Sequence, residues 1–552
     1  MPGTLLILEG TLGLLLLVGL FTLTWRGATA FRGCFGTGPA ALLLMLVPIQ
    51  WVLAGRLPFA HGNELVNWQS SLVGVLTGHD MVGYPHPSGY FNLSTSLYGL
   101  VGLCRWVLGG GDPSTVMAET VLVHGGWLLW ISRALSSILW IGVVGLTIRM
   151  ALEIHGERRK AFVAGLVLWT SHHGEATAFS PYPLALALVM GAVWSLSRRR
   201  SMVLSGAMAG AALAAHYLAV LALPVLWVVH RGGLRSGGAS PVMAKACWYR
   251  HVAMGCLAGG AAFLACSPQT VFFPQETVAT LGHRLREFSV FLAREDPGPT
   301  TWMGHFRYLG QLAGSPMGWM ATLGGVVAFR NRRESAGPWR LVLALLVGVG
   351  LLSLSATQFN RYLIFWYPWL SILAAGAVPR PSARPLHRVL VSALALACLV
   401  AGGGDAWRIR GSSAVLHPPF SEMVAWSRET TVPGDRVLLK LPWAGDLRRA
   451  LEEPGRMSPE TAAAVGAVLE REMGVPVSWW GSGPVAGWDG RQWLYEAEWI
   501  PNRDEPEAPR DRSAVWSQGG LRHRARLLPA SLPGKEPEGE PAWPASGEGR
   551  MP

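Results

Sequence analysis

The sequence predicts an all-α polytopic membrane protein of about twelve transmembrane helices with a small C-terminal α/β extramembrane domain. Three observations lead there. Of the 552 residues, 50% are hydrophobic and only 14% are charged, the mean hydropathy is +0.31, and the apolar residues fall in long runs. When those runs are threaded through a bilayer, every dense arginine cluster from Arg149 onward lands on one face. From Trp407 the long apolar runs stop, and Pro, Arg and Glu take over.

In chain order, Thr4 to Thr24 is apolar over roughly 30 Å of helical rise, enough to span. It lacks a small-residue cleavage site and reads as an anchor, not a removed signal. Glu9 lies near its end, where a carboxyl reaches the interface. Arg26 and Arg32 precede a second apolar stretch, Ala40 to Ala54. Then comes a polar and aromatic insert, the expected first outer loop, over residues 57–132. It holds His61, Asn63, Glu64, Asp80 and His86, with Tyr84, Tyr90 and Tyr98 nearby.

A regular alternation follows. Arg133 to Ala151 ends in Arg149, Arg158, Arg159 and Lys160, a cytoplasmic signature. Ala161 to Ala178 returns, Ser180-Pro181-Tyr182-Pro183 turns the chain, and Leu184 to Leu196 leads back to Arg198, Arg199 and Arg200. Ser201 to His230 is too long for one span and carries His216 and Tyr217 at its middle, so it predicts two short helices meeting at the outer surface. The basic loop Arg231 to Arg250 is expected inside. His251 to Ser267 exits into a second outer loop, residues 268–310. Gln311 to Phe329, Leu341 to Ala356, Tyr362 to Val378 and Val389 to Gly403 complete the expected transmembrane domain, 1–405. In the tail, Pro418 to Ser427 reads as a helix and Arg436 to Leu441 as a strand. Ser458-Pro459-Glu460 starts a helix running to Met473, with Ser as N-cap and Pro at the first helical position. Residues 406–500 are therefore expected to form the α/β domain, and 501–552, rich in Pro, Glu, Arg and Ser, a disordered tail.

The net charge of +12 would suit nucleic acid, but the cations cluster at the ends of apolar runs, where membrane orientation places them, so no nucleic-acid partner is expected. Six cysteines without paired spacing suggest neither a disulfide framework nor a zinc site. His172, His173 and Glu175 could suggest a metal, but adjacent histidines do not share a helix face, and a polar helix end is the simpler reading. Glu64 and Asp80 could supply a general base, against the plain alternative of a solvated loop carboxylate. His86 sits in a proline-stiffened segment, and His216 near a helix junction; either imidazole could equally bond a backbone carbonyl. Arg361 opens a span at the outer surface, placed for a phosphate or as a snorkelling anchor.

The order of these features resembles the polytopic GT-C glycosyltransferases, the clan of dolichyl-phosphate-mannose protein mannosyltransferase-like and aminoarabinose transferase-like enzymes. Asn63-Glu64 falls at the clan's early acid pair, His86-Pro87-Ser88-Gly89-Tyr90 at its His-Pro segment, and Arg133 at the arginine opening the next span. Leu204-Ser205-Gly206 through His216-Tyr217 resembles its small-residue helix pair with a basic outer end. Arg361-Tyr362-Leu363, with Pro368 beyond, resembles its late Arg-Tyr-Leu. The likeness covers roughly residues 1 to 405, and a membrane family with a His-Pro-Pro-Gly motif is also similar around His86 to Gly89.

The resemblance implies transfer of a sugar from a polyprenyl-phosphate donor to a glycan, lipid or protein acceptor on the outer face of a membrane, expected to be a bacterial inner membrane with the C-terminal domain outside. Membrane lipids and the polyprenyl-linked sugar are the expected partners. His86, Tyr90, His216, Arg361 and Tyr362 would meet the donor, Glu64, Asn63 and Asp80 would form the catalytic set, and no resident cofactor or metal ligand set is assigned, although a divalent ion would suit a phosphate donor. One departure matters: Asn63 stands where the clan carries its usual aspartate, and a carboxamide accepts no proton near neutral pH. Glu64 or Asp80 would have to take over. Otherwise the chain is a non-catalytic protein of the same shape that binds lipid-linked glycan or assembles a transferase complex. A transporter is the third reading, disfavoured by the absence of an inverted repeat.

Overall fold

The computed structural model describes residues 62–77, 89–171, 180–199, 201–222, 241–272, 315–331, 341–348, 360–379, 385–411, 419–440, 457–479, 491–499, 514–518 and 521–528, with position 225 and short pieces of 274–282. The expected spans over 4–24 and 40–54 lie outside these residues, as do His61, Asp80, His86 and most of 268–310.

The stretch expected as the first outer loop is helical. It forms α1 (Gly62–Thr77), α2 (Gly89–Gly109) and α3 (Pro113–Leu122), none of which the sequence reading assigned. In α1 the buried Trp68, Leu72, Val75 and Leu76 make one helical stripe. α3 starts where local chemistry dictates: the Asp112 carboxylate accepts the Thr115 amide at 2.8 Å, and Pro113 takes the first helical position.

α4 (Gly125–His155) is, among the described residues, the one helix long and apolar enough to cross a bilayer. It begins at Gly125, not at Arg133 as expected, because the apolar run continues upstream through Trp127, Leu128, Leu129, Trp130 and Ile131. Arg133 therefore lies inside the helix, with 0% exposure. Gly156, at φ 70°, ends it in the left-handed conformation that glycine adopts without strain. Next come α5 (Arg158–Ser171), α6 (Tyr182–Arg199) and α7 (Met202–Ala215), which stops at His216 and gives way to a short 3-10 helix, Tyr217–Ala222. α8 (Pro241–Cys266) takes in residues 241–250, expected as a cytoplasmic loop; the basic residues there ride on the helix end. α9 (Gln269–Phe272) and α10 (Pro316–Arg330) follow, then a 3-10 helix at Asn360–Phe365, α11 (Tyr367–Gly376) and α12 (Pro385–Gly411).

Small residues bring these helices close. A Cβ on Gly206 would run into the backbone of Gly255, and one on Gly210 into that of Gly259, so α7 and α8 touch main chain to main chain. Gly324 of α10 meets the Leu373 backbone of α11 in the same way. The central core gathers Trp140, Val143 and Ile148 of α4 with Leu168 of α5, Met190 of α6 and Trp369 of α11. On the outside, α12 exposes Leu386, Val389, Leu396 and Val400, a stripe that would be costly in water and is at home in lipid.

After α13 (Pro419–Thr430) the chain becomes α/β. Strands β1 (Arg436–Lys440), β2 (Val477–Trp479), β3 (Gln492–Trp499), β4 (Ala514–Gln518) and β5 (Leu521–Leu528) form one five-stranded sheet in the order β2-β1-β3-β5-β4. β1 is parallel to both neighbours; β3, β5 and β4 pair antiparallel. Val437, Leu438 and Leu439 are all buried, so both faces of β1 are covered. α14 (Pro459–Met473) begins at the expected cap, Ser458 accepting from the Thr461 amide at 3.2 Å, and ends at Gly474 with φ 74°. β4 and β5 correct the expectation of a disordered 501–552 tail over 514–518 and 521–528. β5 alternates Leu521, His523, Ala525 and Leu527 with Arg522, Arg524 and Arg526, a period-two pattern inside a charge-rich composition. The register sets Glu496 opposite Arg524 and Glu498 opposite Arg522.

A second core joins the two ends of the chain. Trp68 and Leu72 of α1, Tyr98 of α2 and Met117, Val121 and Leu122 of α3 are continuous with Met423 of α13, Val437 and Leu439 of β1, and Val465, Val468 and Leu469 of α14. The C-terminal α/β unit thus shares its interior with the first-loop helices.

Candidate functional site

The geometry around His216 begins with the break in α7. At φ −160° and ψ 127° the residue leaves the helix extended, its own amide still bonded to the Ala212 carbonyl at 2.9 Å. The ring is buried, with 1% exposure. Its Nδ1 accepts the Leu218 amide at 3.1 Å. An imidazole accepting through Nδ1 carries its hydrogen on Nε2 in the neutral form, so this network assigns His216 as an Nε2–H donor.

Three aromatic rings surround it. Tyr217 stacks at 4.5 Å between centroids and 26°, Tyr182 lies at 4.8 Å, and Phe365 at 5.9 Å. Tyr182 and Phe365 also meet edge to face at 6.0 Å. Tyr182 comes from the Ser180-Pro181-Tyr182-Pro183 turn, where the Pro181 carbonyl accepts from Ala185 to start α6. Phe365 closes the 3-10 helix that carries Arg361 and Tyr362 in its backbone. Segments far apart in the sequence thus meet at one point.

A fourth segment arrives through glycine. Gly89 and Tyr90 are the first two residues of α2. A Cβ on Gly89 would lie 2.8 Å from the carbonyl oxygen of Ala214, two residues before His216, so only glycine permits this approach. Tyr90 is 1% exposed and packs edge to face on Phe91 at 5.9 Å. One turn on, Asn92 donates its Nδ2 hydrogen to the Cys266 carbonyl at 3.0 Å, tying α2 to the end of α8.

Among the described residues, the segments around Tyr182 and Phe365 also hold buried hydrogen-bond donors without protein partners. The Ser180 hydroxyl and the indole N–H groups of Trp366 and Trp369 are shielded from solvent and unbonded. Such groups are uncommon in folded proteins and ask for a reason. Deeper in α4, Arg133 is fully buried next to Ser132, whose hydroxyl is 2.7 Å from that of Tyr98 in α2.

Of the expected site residues, the structure unites His216 with the segment bearing Arg361 and Tyr362 and with the start of α2 at Tyr90. Asn63 and Glu64 occupy the first turn of α1, a helix N-terminus that favours a carboxylate. Trp68 fixes that helix, its indole N–H donating to the Gly125 carbonyl at 3.1 Å. Asp80 and His86 lie outside the described residues. So do His172, His173 and Glu175; among the described residues no group of three or more His, Cys, Asp or Glu gathers as a metal site. Tyr182 and Phe365 were not singled out from the sequence. The Pro-flanked tyrosine of the turn was the available signal for the first, and nothing local marks the second.

No protein-family model matches the sequence, and no curated protein matches it significantly. Solved structures do. ArnT from Cupriavidus metallidurans bound to undecaprenyl phosphate superposes with a TM-score of 0.50 at 14% identity, covering 89% of this chain and 98% of that one. The same enzyme in its apo state superposes at 0.45, with the same identity and coverage. The chain has the fold of the GT-C-type polytopic membrane glycosyltransferases, to which ArnT, an aminoarabinose transferase, belongs.

Proposed function

We propose that this protein is an integral-membrane glycosyltransferase that moves a sugar from a polyprenyl-phosphate donor to a lipid, glycan or protein acceptor on the outer face of a bacterial inner membrane. The observation that carries the reading is the meeting of Tyr182, His216 and Phe365 beside Gly89, which gathers the start of α2, the Ser180 turn and the Arg361 segment around one buried imidazole. The undecaprenyl phosphate held by the ArnT neighbour supports the donor class.

In this reading the donor's phosphate lies against Arg361 and the Nε2–H of His216, with Tyr90 and Tyr362 beside it. An arginine suits the singly charged phosphodiester, and still more the phosphate dianion that departs, through paired N–H donors, and a neutral imidazole adds a hydrogen bond without competing for the proton. The Ser180 hydroxyl is a further donor for the phosphate or the sugar. On the acceptor side, Glu64 or Asp80 takes the proton of an acceptor hydroxyl, while Asn63 orients that hydroxyl through its amide. The acceptor oxygen bonds to the anomeric carbon from the face opposite the phosphate, the carbon–oxygen bond to the phosphate breaks, and polyprenyl phosphate leaves with the electron pair. The sugar configuration inverts. A divalent ion, if used, would serve the leaving phosphate. The α/β unit lies on the outer side in this arrangement.

Asn63 specifically favours a second reading, a non-catalytic protein of the same fold that holds lipid-linked glycan or assembles a transferase complex. Purified protein in lipid with a radiolabelled polyprenyl-phosphate sugar separates the two. A transferase consumes donor, and Glu64→Gln lowers turnover by about 100-fold or more with the fold intact. Undiminished activity in that variant moves the base elsewhere. A binding protein retains affinity for lipid phosphate, weakened by Arg361→Ala, and never turns the donor over. Solute movement in sealed vesicles without covalent product would instead mark a transporter. Labelling that places Asn63-Glu64 in the cytosol would overturn the transfer scheme.

A further inference from the structure

The C-terminal α/β unit does more than follow the membrane body. Its helix α14 lies along α3, and the two are joined by a chain of ion pairs at the edge of their common core. Glu119 of α3 takes Arg471 Nη1 on one carboxylate oxygen at 2.7 Å and faces Arg105 Nη2 of α2 with the other at 3.4 Å. Arg471 turns its second amino group to Glu472 at 2.9 Å, and the same carboxylate holds Arg428 of α13 at 3.2 Å. Arg428 also donates Nε–H to the Glu472 carbonyl at 3.1 Å. Among the described ion pairs, Glu119 is thus the residue that both α2 and α14 grip.

Beside this chain the joint opens to the surface. A half-open groove of about 280 Å³ runs between Leu122 and Val123 at the end of α3 and Val424, Ala425, Val468 and Leu469 of the α/β unit, with Arg428 and Glu472 among its walls. The ion pairs at its rim add to the shared core in setting the alignment of α14 on α3. Through α3 that alignment reaches α1: Trp68 and Leu72 of α1 share the core with Met117, Val121 and Leu122 of α3. The first turn of α1 holds Asn63 and Glu64.

We infer that the α/β unit is a positioning clamp for the acceptor side of the site, with Glu119 and Arg471 as the positioning pair that fixes α3, and through it α1, over the membrane body. The inference rests on the reading of Asn63-Glu64 as the acceptor-side group; the clamp itself is a mechanical claim that can be read without turnover. Neither residue touches the reacting atoms. Arg471 is half exposed, at 52%, and Glu119 is 23% exposed, so replacing either removes the grip without hollowing the core.

Hydrogen–deuterium exchange on the full-length protein in lipid, with and without the pair, is the test. Arg471→Ala and Glu119→Gln should each raise exchange in α3 and α1 by about fivefold, the population change that an ion pair of this exposure can bias. Exchange in α4 should stay as it is. Arg471→Lys, which keeps the charge, should restore part of the protection, and a flexible bis-maleimide bridging Glu119→Cys to Arg471→Cys should restore most of it. Where turnover is present, the same variants should lower kcat and leave KM for the donor unchanged, since Arg361 and His216 belong to the membrane body. Unchanged exchange in α1 with increased exchange confined to α13 and α14 would overturn the clamp and make the α/β unit a passenger. Absence of turnover in the wild type would count against the transferase reading and leave the exchange result to decide the clamp.

Discussion

A methyl group at Gly89 probes whether the approach of α2 to α7 sets the site. The added Cβ would lie 2.8 Å from the Ala214 carbonyl oxygen and 2.9 Å from its carbon, both backbone atoms that no rotamer change can move aside. Reaching an ordinary contact of about 3.5 Å requires the two helix ends to part by about 0.7 Å. Overpacking of that kind costs about 1–3 kcal/mol. The alanine returns less than about 1 kcal/mol through its smaller backbone entropy, since Gly89 opens the helix and gains little from helix propensity. A net loss of about 1–2 kcal/mol is expected. The functional effect should be larger than the loss of stability, because Ala214 sits two residues before His216 and the displacement falls directly on the site. A misplacement near 1 Å costs about 100-fold in rate, so a tenfold or greater fall in donor consumption is expected from Gly89→Ala. Thermal unfolding in lipid nanodiscs and radiolabelled donor turnover would be measured side by side, with Gly142→Ala on α4, where a Cβ meets nothing within 4 Å, as the control. Wild-type Tm and wild-type turnover in Gly89→Ala would refute the close approach and its role.

Three further outcomes follow from the packing and the charges. In the α/β unit, burial alone would raise the Asp435 carboxyl, but the Arg491 guanidinium, the Val432 amide and the Trp493 indole together outweigh it and hold the group below its ordinary range. Its folded pKa being the lower one, the stabilisation is complete above the ordinary carboxylate range and is lost as the pH falls through the folded value; with Arg491 46% exposed, Asp435→Asn should cost about 1–2 kcal/mol at neutral pH and flatten that acid limb in pH-dependent unfolding. Gly210→Val would drive α7 away from the Gly259 backbone and should lower stability by about 3 kcal/mol or prevent folding, read by thermal unfolding. Trp68→Phe removes the pyrrole part of a buried ring and leaves the Gly125 carbonyl without its indole donor, an expected loss of about 2–3 kcal/mol that should appear as faster exchange in α1.

What the sequence made legible was what local chemistry decides. The start of α14 at Ser458-Pro459 could be read directly, because a hydroxyl cap and a proline at the first position need no tertiary partner. The break at His216 followed from a run too long for one span. The helices α1 to α3 were hidden by their polar and aromatic content: the stripe of Trp68, Leu72, Val75 and Leu76 is interrupted by Gln69, Ser70 and Ser71, and its burial depends on a C-terminal unit several hundred residues away. The strands β4 and β5 were obscured by averaging over a Pro- and Arg-rich tail, although β5 sets an arginine at every second position from Arg522 to Arg526. At the site, the Ser180, His216 and Arg361 segments were each visible, while their meeting with the start of α2 depends on contacts such as Gly89 on Ala214 that no spacing encodes.

The interior shared by α1, α3 and the C-terminal strands also sets a schedule for biosynthesis. Met117, Val121 and Leu122 leave the ribosome long before Val465 and Leu469 exist to cover them. At about 5–20 residues per second the interval is on the order of tens of seconds. Through that time a sticky hydrophobic flank waits uncovered by its final partners. A chain terminated before Pro419 would wear that flank permanently, so C-terminal truncation should yield an aggregating product in place of a smaller folded protein.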